Sequence, residues 1–468
     1  MPQYTMTIGG ASVSGDASFG VVDPALGTVH AEAPDCGPGQ LDAAFEAAAL
    51  AYRSWRKNEN ARRKALHAAG DLLMSKANEL APVLTREQGK PLKDAAFEII
   101  GSGYWLKHFA DMAIPYEVIR DDDAAFVEVI RRPMGVVAAI TPWNFPLMLA
   151  CWKVAPALLA GNTMVLKPSP YTPLTTLAFG AMMREVLPPG VLNVVSGQDP
   201  LGARMTAHPV PRKITFTGSV ATGKRVAEAA ASDLKRVTLE LGGNDPAIVL
   251  DDADPARVAP KIFDFAFQNN GQLCSAIKRV YAPARLYDDV VEALAAVARE
   301  VKVGNGLHEG VQYGPVNNKP QFDRVTELVD DAVGRGARAV AGGKRVEGPG
   351  YFYEPTVLAG AEDGFRIVDE EQFGPALPVI RYTSLDDVVE RANGSHFGLC
   401  GSVWGTDVER ASQVAGDLEC GTAWVNTHFA VHPDQPFGGH KWSGVGSENG
   451  RLGLEGFTEV QVRHRAKS

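Results

Sequence analysis

The chain is predicted to be an α/β protein built on two parallel sheets, on three observations. Short β-rich runs alternate with helical segments between residues 136 and 240, and a second alternation of the same kind follows from Ala247. Such alternation makes βαβ units with right-handed crossovers, hence parallel sheets. At 468 residues the chain is also too long for one ordinary core, so two or three domains are expected.

Turn signals at Gly9-Gly10 and Gly15, with Thr5, Ile8 and Val13 between them, predict a small β-hairpin lead-in. From Leu41 the period changes: Phe45, Ala48, Tyr52 and Trp55, then Leu66, Ala69, Leu73, Ala77 and Leu80, recur at helical spacing. Two amphipathic helices are expected there, closing near Gln88-Gly89-Lys90-Pro91. The first α/β half should hold strands at 136–140, 163–167, 191–195, 213–216 and 236–239, with helices over 175–186 and 222–231. The second should hold strands at 247–250, 278–282, 376–382 and 422–425, with helices over 288–301 and 321–334. Two segments fit neither half. Residues 116–132 alternate around Asp121-Asp122-Asp123 as a hairpin would, and 457–463 reads as one polar-flanked strand. Strands outside a core pair with something, and a partner subunit suits them.

Composition narrows the class. With 45% hydrophobic and 22% charged residues the chain is that of a soluble globular protein, and its net charge of −9 argues against nucleic acid as a partner. Met1 to Met6 lack a charged region followed by an apolar one, so no secretory signal is expected. The most apolar stretch, 147–161, is interrupted by Lys153 and Pro156 and is too short to span a bilayer. Cys36, Cys151, Cys274, Cys400 and Cys420 are widely spaced, without a CxxC or Cys/His cluster. That predicts free thiols, no metal site and a reducing, cytoplasmic compartment.

In open parallel sheets ligands bind at the carboxyl ends of the strands, so the residues just past each predicted strand are the informative ones. The first strand leads into Thr141-Pro142-Trp143-Asn144-Phe145-Pro146, the second into Lys167-Pro168-Ser169-Pro170, the third into Ser196-Gly197. Thr217-Gly218-Ser219 and Glu240-Leu241-Gly242-Gly243 end the fourth and fifth. Polar and glycine residues thus gather along one edge, where a dinucleotide could lie. No GxGxxG fingerprint is present, and Gly218 to Lys224 fails as a P-loop because Arg225 stands where a Ser or Thr must ligate magnesium. What survives is a glycine turn opening a helix, whose free N–H groups favour a phosphate.

A second centre is Asn269-Asn270-Gly271-Gln272-Leu273-Cys274-Ser275. Small polar residues around one cysteine let backbone N–H groups approach a reacting carbonyl. Taken singly these residues say little: a lone cysteine is more often a buried small hydrophobe, Asn144 a turn former, Glu240 a surface or capping acid. Their company carries the weight.

Together the residues resemble the aldehyde dehydrogenase superfamily. The matching motifs, in the family's order, are Thr-Pro-Trp-Asn-Phe-Pro (141–146), Lys-Pro-Ser (167–169), Phe-Thr-Gly-Ser (216–219) and Leu-Glu-Leu-Gly-Gly (239–243). Gly-Gln-x-Cys (271–274), Glu-x-Phe-Gly-Pro (371–375) and Pro-Phe-Gly-Gly (436–439) complete them. The resemblance implies a Rossmann-type cofactor domain (1–115 and 136–242), an α/β catalytic domain (243–443) and a small β oligomerisation element (116–135 and 444–468). It implies a homodimer or homotetramer.

By the same resemblance Cys274 is the nucleophile that attacks an aldehyde, Asn144 an oxyanion donor, and Glu240 the base that activates cysteine or water. Lys153 and Glu448 match a buried proton relay to Glu240; the bland alternatives are a snorkelling lysine and a solvated carboxylate. Thr141, Pro142, Trp143, Lys167, Ser169, Gly218, Ser219, Gly242, Glu371 and Phe373 are expected around the cofactor. Phe145, Leu149, Trp152, Leu273, His428 and Phe437 are expected to line the substrate pocket, with His428 and His432 at a solvent mouth. That set suits a medium aliphatic or aromatic aldehyde. Glu240 favours water over coenzyme A as acyl acceptor. Many NAD-preferring relatives carry a glutamate where Pro170 stands, so NADP is possible; NAD is favoured because no further Arg or Lys adjoins 167–170.

Overall fold

Two parallel sheets carry the molecule, and their strand ends face the same region. The computed structural model describes residues 4–467. Met1, Pro2, Gln3 and Ser468, which include part of the expected lead-in and the outer ends of the expected domains, lie outside the described residues.

The first sheet runs Ala11–Val13, Met6–Ile8, Leu192–Val194, Thr163–Lys167, Val136–Ile140, Lys213–Thr217, Arg236–Glu240, Gly444–Val445. The five inner strands are parallel and the flanking pairs antiparallel. Thr163–Lys167 and Lys213–Thr217 are buried along their whole length, as strands covered by helices on both faces must be. Helix Pro146–Ala160 packs on Thr163–Lys167 and Val136–Ile140, starting on Pro146 and ending at Gly161, whose φ of 99° only glycine adopts without strain. All of that helix except Met148 is buried, so the apolar stretch is a core helix. None of the helices among the described residues is long and apolar enough to cross a membrane.

The second sheet runs Arg338–Ala341, Thr356–Ala359, Ala376–Tyr382, Ile277–Pro283, Asp245–Val249, Cys400–Trp404, Thr422–Val425. Only its first pair is antiparallel. Three of these strands, 338–341, 356–359 and 400–404, are not predicted by the local pattern. Cys-Gly-Ser-Val-Trp has neither alternation nor a β-branched run; its partners on either side make it a strand. The N-terminal region likewise holds four helices where two are expected: Pro38–Trp55, Glu59–Ser75, Ala77–Gln88 and Leu92–Asp111. Periodicity locates an apolar face but not the breaks within it, and the last helix lies beyond Gly89 and Pro91, the expected close of the helical region.

The third unit is a three-stranded antiparallel sheet, Tyr116–Asp121, Ala125–Pro133 and Thr458–Ala466. The hairpin and the C-terminal strand therefore pair with each other within the chain. Residues 444–445 instead extend the first sheet beside Glu240.

Candidate active site

Register along the first sheet assembles one wall of the site. Ile140 is level with Lys167, Phe216 with Ile140, and Thr217 with Glu240, so four strands end side by side. Beyond them opens a cleft of about 720 Å3 lined by Thr141, Pro142, Trp143, Lys167, Ser169, Gly218 and Ser219. Ser219 opens helix Val220–Ala231, its Oγ accepting the Thr222 N–H at 3.3 Å, which leaves the remaining first-turn N–H groups directed outward.

Lys167 is buried, and among the described residues its ammonium donates only to the Pro168 carbonyl, at 3.3 Å. Burial lowers its pKa to about 8, against the opposing pull of Asp199 and Asp35. The Thr141 hydroxyl in the same cleft is buried without a partner. Unspent donors along an elongated cleft fit a dinucleotide. Arg225 and Lys319 line this cleft too. The sequence ground for preferring NAD, that no further cation adjoins 167–170, therefore does not hold in three dimensions: Arg225 reaches the cleft from the next helix.

Glu371, Gly242 and Phe373 stand where this wall meets the second sheet. A Cβ on Gly242 would lie 2.1 Å from a Glu371 oxygen, so any larger residue there would displace the Glu371 carboxylate. Glu371 accepts the Gly243 N–H at 3.0 Å and pairs with Lys278 at 3.2 Å; burial raises its pKa. Phe373 meets Trp143 edge-to-face at 5.2 Å, with a left-handed φ of 48°. A phenylalanine in that conformation is strained, and strain of this kind collects where a ring must be aimed.

Cys274 sits between the turn Gln268–Gly271 and strand Ile277–Pro283. It is partly exposed, whereas Leu273 and Ser275 on either side are buried. Burial of the thiol, then the nearby Glu240 carboxylate, push its pKa well up, while Lys278 pulls it down. Asn144 is buried opposite: its Nδ2 donates to the Gln272 carbonyl at 3.1 Å, and its Oδ1 has no partner.

Glu240 is buried at the end of its strand, and neither carboxylate oxygen has a hydrogen-bond partner of ordinary geometry. Burial and then the Glu448 charge raise its pKa far above the carboxylate range; Lys153 and the Cys274 thiol oppose this. Lys153 and Glu448 are themselves buried and paired, and Lys153 also donates to Thr217 Oγ1 at 2.7 Å. The structure thus brings Cys274, Glu240, Lys153 and Glu448 into one electrostatic cluster, and neither a snorkelling lysine nor a solvated carboxylate is found.

Trp152 stacks on Trp105 at 5.7 Å and meets Phe437 edge-on at 5.5 Å. Leu149 and Leu273 are buried; Phe145 and Cys274 are partly buried against the first core, which also holds this aromatic group. His428 departs from its expected place. It is fully buried, and its Nε2 donates to the Ser275 carbonyl at 2.9 Å, so it supports the cysteine loop from behind; of the two histidines only His432 reaches solvent. The reason is packing of the His428 ring against Trp424, 4.7 Å away.

Lys278 is a site residue that the motifs do not reveal. Its ammonium hydrogen-bonds the Cys274 carbonyl and pairs with Glu371, joining the cysteine loop to the cofactor side. A signal exists: Lys278-Arg279 interrupts a strand buried at every position, and buried charges need a reason.

The aldehyde dehydrogenase family model matches residues 12–462. Phenylacetaldehyde dehydrogenase of Pseudomonas fluorescens is 39% identical over 98% of this chain and 95% of its own length. Among solved structures, the NAD+ complex of an aldehyde dehydrogenase from Bacillus cereus superposes with a TM-score of 0.97 at 36% identity, over 100% of this chain and 97% of that one. An NADP-dependent enzyme of E. coli gives 0.96 at 36% identity, over 99% and 98%.

Proposed function

The chain belongs to the aldehyde dehydrogenase family, and from that membership we propose that it oxidises a medium aliphatic or aromatic aldehyde to the carboxylic acid through a thioester on Cys274. The observation that carries this reading is a partly exposed thiol beside a buried carboxylate, Glu240, whose oxygens find no other hydrogen-bond partner among the described residues.

The chemistry follows from the electrostatics. Glu240, whose pKa burial and the Glu448 charge raise to about 8, exchanges its proton near neutral pH; as the carboxylate it takes the thiol proton and passes it toward the Lys153–Glu448 pair. The thiolate attacks the aldehyde carbon. The oxyanion so formed is held by Asn144 Nδ2 and the Cys274 backbone N–H. NAD or NADP, when bound, would supply the hydride acceptor needed to take this adduct to the acyl thioester. Thr141, Trp143, Lys167, Ser169 and Ser219 would hold the cofactor, Phe373 would pack beside its nicotinamide ring, and Glu371 would hold the nearby ribose. Glu240 then activates water, which releases the acid and frees the thiol.

The buried Trp152, Phe437, Leu149 and Leu273 support an apolar acyl pocket. Cofactor domain 1–115 and 136–242 and catalytic domain 243–443 meet at this site. Val118, Ile119, Val460 and Val462, exposed on the three-stranded sheet, support a homodimer or homotetramer in which another copy covers them. Five unpaired cysteines support a reducing, cytoplasmic setting.

The test is reduced-cofactor absorbance with aliphatic, aromatic and semialdehyde substrates, NAD and NADP, on wild type and Cys274→Ala. Turnover by wild type alone is expected, greatest with apolar aldehydes and unchanged by coenzyme A. Activity surviving in Cys274→Ala would remove the nucleophile assignment.

A further inference from the structure

Two charged residues outside the catalytic set meet directly behind Asn144. Lys90, in the turn between helices Ala77–Gln88 and Leu92–Asp111, and Glu98, on the second of these, have side chains 1% and 0% exposed and pair at 2.6 Å. The Lys90 ammonium also donates to the Asn144 carbonyl at 2.9 Å and lies 3.5 Å from the centre of the Phe145 ring. Its three protons are thus directed at a carboxylate, a peptide oxygen and an aromatic face. The other Glu98 oxygen accepts the N–H groups of Leu147 (3.0 Å) and Met148 (3.2 Å). These open helix Pro146–Ala160, whose N-cap residue, Phe145, supplies no side-chain cap. Glu98 caps that helix from a neighbouring element.

From the cysteine side, Asn269 Nδ2 donates to the same Asn144 carbonyl at 3.1 Å, and Asn269 holds a left-handed φ of 50°. Asn144 is therefore gripped by its backbone from two directions while its side-chain amide faces the Gln272 carbonyl, two residues before the thiol. A buried ion pair is often no more stabilising than apolar residues of the same volume. Its use here is placement.

We propose that Lys90 and Glu98 are positioning residues that hold the Asn144 amide at the oxyanion position and the Phe145 ring against the acyl pocket. This rests on the reading of Asn144 as an oxyanion donor.

Two readouts are measured: cofactor-independent hydrolysis of p-nitrophenyl acetate, and phenylacetaldehyde oxidation with NAD. Lys90→Met is expected to lower kcat for ester hydrolysis by roughly 10- to 100-fold, as displaced catalytic groups do, with KM changed less than about twofold. Lys90→Arg, which keeps charge and donors, should recover part of the loss. Adding Lys90→Met to Asn144→Ala should cost nothing further, because both act through one amide. An impaired Asn144→Ala beside a Lys90→Met with wild-type kcat would overturn the proposal, as would losses that multiply in the double variant. An unimpaired Asn144→Ala would instead overturn the underlying reading of Asn144. Should Lys90→Met fail to fold, Glu98→Gln carries the same comparison.

Discussion

Glu240 and Glu98 are buried to the same degree, 1% and 0% exposed, yet the chain treats them in opposite ways. Glu98 is bonded on both oxygens, to an ammonium and to two helix N–H groups. Glu240 is bonded on neither, and its larger neighbouring charge is another carboxylate, Glu448. A satisfied buried carboxylate holds structure. An unsatisfied one costs stability and gains reactivity, because its proton is bound tightly enough to be exchanged near neutral pH. The difference between the two regions separates scaffold from chemistry more sharply than burial or residue type does.

The comparison can be broken most directly at the thiol. Cys274→Ala should lower aldehyde oxidation by roughly 10,000-fold or more while leaving the thermal midpoint near that of wild type; a large drop in midpoint would move Cys274 to the scaffold side. Glu240→Gln should lower kcat by roughly 100- to 10,000-fold and remove the acid limb of the pH–rate profile.

The same variant sharpens the contrast through stability. The folded state raises the Glu240 pKa above its ordinary 4.5, so the stability this proton contributes is full below that value and is lost as pH rises through the raised one. Glu240→Gln should therefore gain thermal midpoint over wild type progressively as pH rises, measured by calorimetry across neutral pH. Glu98→Gln should instead destabilise the fold, losing roughly 3–5 kcal/mol, as broken buried pairs do. Equal signs for the two carboxylates would end the distinction.

Asn144→Ala should cost roughly 100- to 1,000-fold in kcat, the loss of one oxyanion donor. The smallest effect is expected at the far end of the cleft. Arg225→Ala should raise the KM for NADP by about two- to fivefold, the worth of one exposed charge, and leave that for NAD unchanged; equal changes for both would place Arg225 outside 2′-phosphate recognition.

Much of this is legible in the residues alone. The five inner strands of the first sheet, the motifs at their ends and the cysteine turn are local signals: β-rich runs ended by glycine or proline. Parallel strands in register bring such ends together by geometry, so Asn144, Lys167, Glu240 and their cofactor-side neighbours can be grouped from the chain alone. Strand Cys400–Trp404 is not legible, because its identity is conferred by the strands on either side. Nor is the burial of His428, which depends on Trp424 and on the Ser275 carbonyl arriving from another segment.

By itself, then, the sequence determined the α/β class and the family resemblance, and it grouped Cys274, Glu240 and Asn144 as the candidates of the proposed site, since each rests on residue types within a few positions of a strand end. The tertiary structure decided which charges face one another where no motif points to them: Lys90 with Glu98, Lys278 with Glu371, Arg225 with the cleft of Lys167. Electrostatic interaction depends on distance and on the dielectric around the pair, and neither is written in the spacing of residues along a chain.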